Sequence, residues 1–235
     1  ALLLAILALG VLSAAAAAAP LITITKSDSL LVDIDGDGQA DAGDTLRYTI
    51  VITNNGTEAL SVTVADTLDA NLLFVPGSLK ISPIAIDDAA NVLGNVSISQ
   101  AAPGVLGNDL DPDGGTLVAL AASGSSVQGG DFSINADGAF SYNPPAGYEG
   151  ADSFDYTIQD PDGMTSTGTV NLTISGMLWF INNNAPACVT QCGRLSSPFN
   201  SMAAFNTANT GAGNNPAAGD SIFVYESGNP YSGPL

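Results

Sequence analysis

Between residues 45 and 175 the chain runs in short stretches of alternating apolar and polar residues, each stopped by a turn rich in Asp, Asn and Gly. TLRYTIVITN (45–54) and LSVTVADTL (60–68) flank the turn NNGTEA, and FSINADGAFSYNP (132–144) and SFDYTIQDPDGMTSTGTVNLTIS (153–175) repeat the scheme. A period of two sends successive side chains to opposite faces of a strand, and strands at this spacing with Gly, Pro and Asp punctuation predict β-sandwiches. Helix signals are confined to the apolar N-terminal segment and to SMAAFNTA (201–208). The expected fold class is all-β.

Charge removes several functions. Four Lys and Arg stand against 23 Asp and Glu, for a formal charge of -19, and there is no His. A nucleic-acid binder needs the opposite sign to neutralise phosphates. Without His, Ser-His and Cys-His nucleophilic sites and the usual catalytic zinc sites are excluded, leaving carboxylate and hard-cation chemistry. Cys188 and Cys192, in ACVTQC, are too few for a four-ligand zinc site. In an oxidising compartment they are expected to form a local disulfide, a stiffener worth about 2 kcal/mol at most because its loop is so short.

The opening ALLLAILALGVLSAAAAAAP has the apolar core and small-residue cleavage region of a secretory signal peptide lacking its charged start. Residues 1–19 are read as that signal helix, cleaved near Ala17 to Ala19, and the chain as a piece of a longer precursor. An uncleaved anchor of about 20 residues is the alternative. No transmembrane span is expected in the mature chain.

DIDGDGQADAGD (33–44) packs five aspartates and three glycines into twelve residues. Numbered as a twelve-residue calcium loop, Asp33, Asp35, Asp37, Gln39 (through its carbonyl), Asp41 and Asp44 fall at ligand positions, with Gly38 at the sharp turn. The flanking helices of an EF-hand are missing, and Ala40 replaces the usual apolar pin. A structural calcium clamp is expected, not a switch. Asp and Gly are also good turn residues, but clustered carboxylates repel by roughly a kcal/mol or more each unless a cation intervenes.

The stretch DGDGQADAGDTLRYTIVITNNG, with VADTL (64–68) and VPGS (75–78), resembles the conserved repeat domain of bacterial and archaeal cell-surface proteins, which implies an Ig-like sandwich over 20–83. AIDD (85–88), GVLGNDLDPDGGTL, ADGAFSYNPPAGYEGADSFDYTIQD and TVNLTIS resemble a cadherin-like tandem repeat of large bacterial adhesins, implying a second sandwich over 84–175. There Asn108, Asp109, Asp111 and Asp113 share one loop, and Asp87 and Asp88 stand at the entry where an interdomain calcium clamp would lie. Gly115 replaces an Asp often found in this family, which puts one ligand in doubt. Asp137, Asp160 and Asp162 read as hairpin-turn residues, and Phe140, Tyr142, Phe154 and Tyr156 as core. LWFINNN, GRLSSPFNSMAAF and AAGDSIFVYESGNPYSG resemble the entry into a right-handed parallel β-helix, placed at 176–235 and truncated. Asp220 there is expected to form a turn.

These readings converge on a secreted or cell-surface protein, not an enzyme, whose calcium-stiffened sandwiches act as spacers in adhesion. Its partners would be surface glycans, proteins or copies of itself. The alternative is a non-catalytic accessory region of a secreted carbohydrate-active β-helix enzyme.

Overall fold

The computed structural model describes residues 8–10, 22–56, 62–209, 214–226, 228 and 231. The chain divides into two compact units, Ala1–Ser78 and Leu79–Leu235. In the first, strand β1 (Ala8–Gly10) pairs antiparallel with β4 (Thr63–Ala65), and β2 (Ile22–Val32) pairs antiparallel with β3 (Thr45–Asn54). The expected signal helix meets the described residues only at Ala8–Gly10, where the backbone is a paired strand instead. A short apolar run reads as strand or helix equally well by periodicity, and here pairing decides. The remainder of 1–19 lies outside the described residues.

The β2–β3 ribbon follows its sequence pattern. Ile22, Ile24, Lys26 and Leu30 on one strand, and Leu46, Tyr48 and Ile50 on the other, are the half-buried positions of an alternating face. Lys26 reaches Asp66 at 2.7 Å while its ammonium lies 4.6 Å from the Tyr48 ring centroid. No side chain of this unit is fully buried among the described residues.

The second unit holds strands β5 (Asp88–Gly94), β6 (Ile98–Gln100), β7 (Val118–Ala119), β8 (Ala122–Ser125), β9 (Asp131–Ile134), β10 (Phe140–Asn143), β11 (Gly150–Gln159), β12 (Thr165–Ile181) and β13 (Ser221–Val224), with helix α1 (Met202–Ala208). One sheet has the order β6-β10-β9-β8, and all its pairs are antiparallel. The other runs β13-β12-β11-β7, with β5 lying parallel to β12. Between the sheets lies an apolar core including Val92, Ile134, Tyr142, Phe154, Ile158, Val170 and Leu172. The Phe132 and Phe154 rings stack at 4.4 Å, and Phe140 meets Phe154 edge-on at 5.8 Å. The alternating aromatics are therefore core, as their period requires.

Asp152 is buried in this sandwich and fully bonded. One oxygen accepts from the N–H groups of Gln128 and Ser153, both at 2.8 Å, and the other from the hydroxyls of Ser126 and Tyr142. Four donors compensate its lost hydration.

Strand β12 belongs to two cores. Up to Ile174 its even-numbered residues from Gly168 are buried, whereas from Met177 the odd-numbered Met177, Trp179 and Ile181 are buried, joined by Phe180, whose ring meets those of Phe223 and Tyr225. The phase changes at an irregularity between Ile174 and Met177, where Gly176 has φ +73°. One extra residue reverses every following side chain, so the same strand faces the sandwich core first and then a second cluster with Phe199, Met202 and Phe205. Beyond the bulge β12 pairs in parallel with β13. The connection carries the Cys188–Cys192 disulfide and α1, whose N-cap Ser201 Oγ accepts from Ala204 N at 3.1 Å. Buried Arg194 ties this segment to the sandwich, its Nη1 lying 3.3 Å from Asp131 Oδ2 and 3.2 Å from the Pro144 carbonyl.

Gly176→Val is expected to destabilise the chain by about 1–3 kcal/mol, since a β-branched residue in a left-handed conformation is strained. A lower urea midpoint at unchanged slope is the result that checks it.

Candidate cation-binding loops

The acidic loop 33–44 is the connection of the β2–β3 hairpin. Carboxylate oxygens of Asp33, Asp35 and Asp37 lie within 4.8 Å of one another, the one such group of three among the described residues. They converge because each also caps its own turn. Asp33 Oδ1 accepts from Gly36 N at 2.7 Å and Oδ2 from Gly38 N at 2.8 Å, while Asp35 Oδ1 accepts from Asp37 N at 3.2 Å. Gly36 and Gly38 have φ +76° and +77°, the left-handed turns that bring these N–H groups inward. Donation by Gly38 and then Gly36 holds the Asp33 carboxyl below its ordinary range.

Asp37 Oδ1 accepts from Gln39 N at 2.7 Å, and its Oδ2 from the Gln39 side-chain amide at 3.1 Å. Asp41 and Asp44 stand outside the group of three. Asp44 fastens the loop shut, with Oδ1 accepting from Ile34 N at 2.9 Å and Oδ2 from Asp41 N at 3.0 Å. The donor set is all oxygen and anionic, with Asp33 half-buried and Asp35 and Asp37 exposed, which suits a hard divalent ion such as calcium.

The six ligands expected in the second module separate into two groups. Asp87, Asp88, Asn108 and Asp109 gather where β5 begins. Asp87 Oδ1 accepts from Thr169 N at 2.9 Å, and Asn108 Nδ2 donates to the carbonyls of Ile86 at 2.9 Å and Asp87 at 3.2 Å. Asp109 Oδ1 accepts from Ile86 N at 2.7 Å and lies 3.0 Å from the Tyr156 hydroxyl. The other oxygens, Asp88 Oδ2 and Asp109 Oδ2, are buried without a hydrogen-bond partner.

Burial first, and then the negative charge of Asp109, push the Asp88 carboxyl up to about 6. Burial raises Asp109 as well. The Tyr156 phenol is raised by burial and then by Asp109. Two partly dehydrated carboxylates with unused oxygens form a site that a cation would relieve. Asp88 and Asp109 would hold it, with Asp87 and Asn108 in support.

Asp111 and Asp113 turn the other way. Asp113 Oδ2 accepts from Ile81 N at 2.8 Å, and Asp111 Oδ1 from Asp113 N at 3.3 Å. Beside them Lys80 pairs with Asp162. Sequence reasoning placed Tyr156 in the core, where it is 2% exposed, and missed that its hydroxyl points at Asp109. An apolar period carries no signal for a polar tip. In the C-terminal segment Asp220 Oδ2 accepts from Trp179 Nε1 and Ala217 N, both at 2.8 Å, which is a turn and anchoring role.

Residues 81–176 match the family model of the bacterial cadherin-like domain. The chain thus contains a cadherin-like, Ig-like β-sandwich domain, the all-β element on which the entry site is built. No curated protein matches the chain. Among solved structures, the human desmocollin-1 ectodomain is similar at 15% identity and a TM-score of 0.30, covering 70% of this chain and 38% of that one. An endo-fucoidan hydrolase of glycoside hydrolase family 107 is similar at 17% identity and a TM-score of 0.28, covering 67% and 24%. The chain spans well under half of either solved chain. No helix among the described residues is long and apolar enough to cross a membrane.

Asp88 gives a pH dependence of defined sign. Its folded-state value, about 6, exceeds the ordinary 3.8, so with metal chelated the folded chain binds the extra proton. Stability from this group is present below about pH 4 and is lost as pH rises through about 6. The urea midpoint in chelator, wild type minus Asp88→Asn, should therefore fall between pH 4 and pH 7. The subtraction removes the contributions of Asp87, Asp109 and Tyr156 only where they do not couple to Asp88, so Asp109→Asn is measured alongside.

Proposed function

We propose that this chain is part of an exported, non-enzymatic surface protein in which calcium stiffens β-sandwich modules used as spacers in adhesion. The observation that carries the reading is the pair of buried, unpartnered oxygens on Asp88 and Asp109 at the entry of a cadherin-like domain. Domains of this kind generally bind calcium. Asp33, Asp35 and Asp37, with their converging oxygens, are the second set of ligands. Bound calcium would supply positive charge between carboxylates that otherwise repel. It would also join the start of β5 to the 108–109 loop, and would stiffen the first half of the hairpin loop.

The finer parts of the reading rest on the sequence. Residues 1–19 act as a signal segment, 20–83 form an Ig-like surface-repeat module, and 176–235 begin a parallel β-helix. The parallel pairing of β12 with β13 is compatible with the last of these. The partner class is protein, including a second copy of the chain, with surface glycans as the other candidate.

Melting the chain in calcium and again in excess chelator tests the metal. The transition should be higher in calcium, by an increment that grows with free calcium as RT ln(1 + [L]/Kd) per site. Combining Asp33→Asn and Asp35→Asn with Asp88→Asn should shrink the difference. Superimposable melts of the wild type would remove calcium from the reading.

A further inference from the structure

Among the described residues, two other than glycine have a left-handed backbone, Asn95 at φ +68° and Gln191 at φ +55°. Asn95 lies in the β5–β6 turn and Gln191 inside the ring closed by Cys188 and Cys192. Both grip the 144–147 turn between β10 and β11. Gln191 Oε1 accepts from Ala146 N at 2.6 Å, and Asn95 Oδ1 accepts from Gly147 N at 2.8 Å. The Asn95 carbonyl also accepts from Leu195 N at 2.8 Å, and Asn143 Nδ2 donates to Ser196 Oγ at 3.0 Å. With Arg194 on the Pro144 carbonyl, these bonds dock the C-terminal segment on the sandwich.

A left-handed residue with a side chain is strained and persists only where its surroundings over-determine it. Asn tolerates this conformation, and Asn95 is fully buried among its partners. Gln191 has neither support, because it is exposed, as are Val189 and Thr190 beside it. What fixes it is the short disulfide ring, together with its carbonyl, which accepts from Ser197 Oγ at 2.7 Å. Cys192 packs against the second core cluster, which anchors one end of that ring. The disulfide therefore sets the direction of the one ring side chain that reaches the sandwich.

We propose that the Cys188–Cys192 disulfide is a redox-sensitive latch. Closed, it holds Gln191 in the conformation that docks the C-terminal segment on the 144–147 turn. Opened by a dithiol, it lets Gln191 relax and the dock loosen while the sandwich core stays folded. A thiolate of the dithiol attacks one cysteine sulfur, the S–S bond breaks, and the other cysteine leaves as a thiolate that takes up a proton. The second thiolate of the reagent then displaces the first cysteine, so the dithiol ends as a disulfide and the protein gains two electrons and two protons. Both cysteines are half-buried rather than enclosed, and Val189 in the ring is 90% exposed, which gives the reagent access. The latch involves no metal and goes beyond the calcium reading above.

The test is amide hydrogen exchange of the full chain by NMR, oxidised and after dithiothreitol, with alkylation and mass spectrometry confirming that both cysteines are free. All spectra are taken in chelator, so the outcome bears on the latch and not on the metal. On reduction, exchange at Ala146, Gly147 and Leu195 should speed up about tenfold, while the core amides of Tyr142 and Phe154 keep their rates. Cys188→Ser/Cys192→Ser should match the reduced wild type, which carries the test alone if that variant does not fold. Gln191→Gly removes the side-chain bond and keeps the disulfide, so Ala146 should exchange fast in either redox state. Rates at Ala146 and Gly147 unchanged by reduction overturn the proposal. An equal acceleration of the core amides also overturns it, because the bond would then be a staple of the whole unit.

Discussion

A carboxylate taken out of water needs a hydrogen-bond donor or a cation, and this chain offers only four Lys and Arg side chains to 23 acids. Three of the four are in internal ion pairs: Lys26 with Asp66, Lys80 with Asp162, and Arg194 with Asp131. Most compensation must therefore come from backbone N–H groups and hydroxyls. Asp152 is the completed case, with four donors on two oxygens. Asp33 and Asp44 are satisfied by the same means in an exposed loop. Asp88, Asp109, Asp111 and Asp160 each keep a buried oxygen that no protein donor reaches. On those four oxygens the charge is met by no hydrogen-bond donor of the protein.

The same contrast separates architecture from site. Satisfied carboxylates pin loops to sheets and contribute to the cadherin-like sandwich as it stands. Unsatisfied ones lie in two places on that domain: where β5 starts, and where the 111–115 loop meets the β11–β12 turn. Both are strand-connecting ends, where segments distant in sequence meet. In the hairpin loop 33–44 the ligands are local, so an ion there stiffens one connection rather than linking two.

Strand β12 governs how the C-terminal segment is attached. A flexible linker would leave that segment independent, but here one strand crosses from one core to the next through the Ser175–Gly176 bulge. Trp179 and Ile181 enter the second cluster only because the phase has shifted, and Arg194 then clamps the segment from outside. Mechanical load along β12 would pass through paired strands on both sides of the bulge.

The period-two runs determined the strands β3, β10, β11 and most of β12, and the aromatic positions of the core, because alternation and burial are local properties of a pleated chain. The concentration of Asp and Gly likewise marked loop 33–44 and the 108–113 loop as acidic turns, and the match over 81–176 lies where the cadherin-like pattern was read. Local pattern could not decide which carboxylates would find donors. Asp160 and Asp162 look alike in sequence, yet one is buried with an unused oxygen and the other is paired with a lysine 82 residues away. Nor could it separate Asp109 from Asp111, two residues apart and facing different neighbours. Those outcomes depend on which distant backbone and side-chain groups the packed sheets bring within hydrogen-bond reach, and only the tertiary structure decides that.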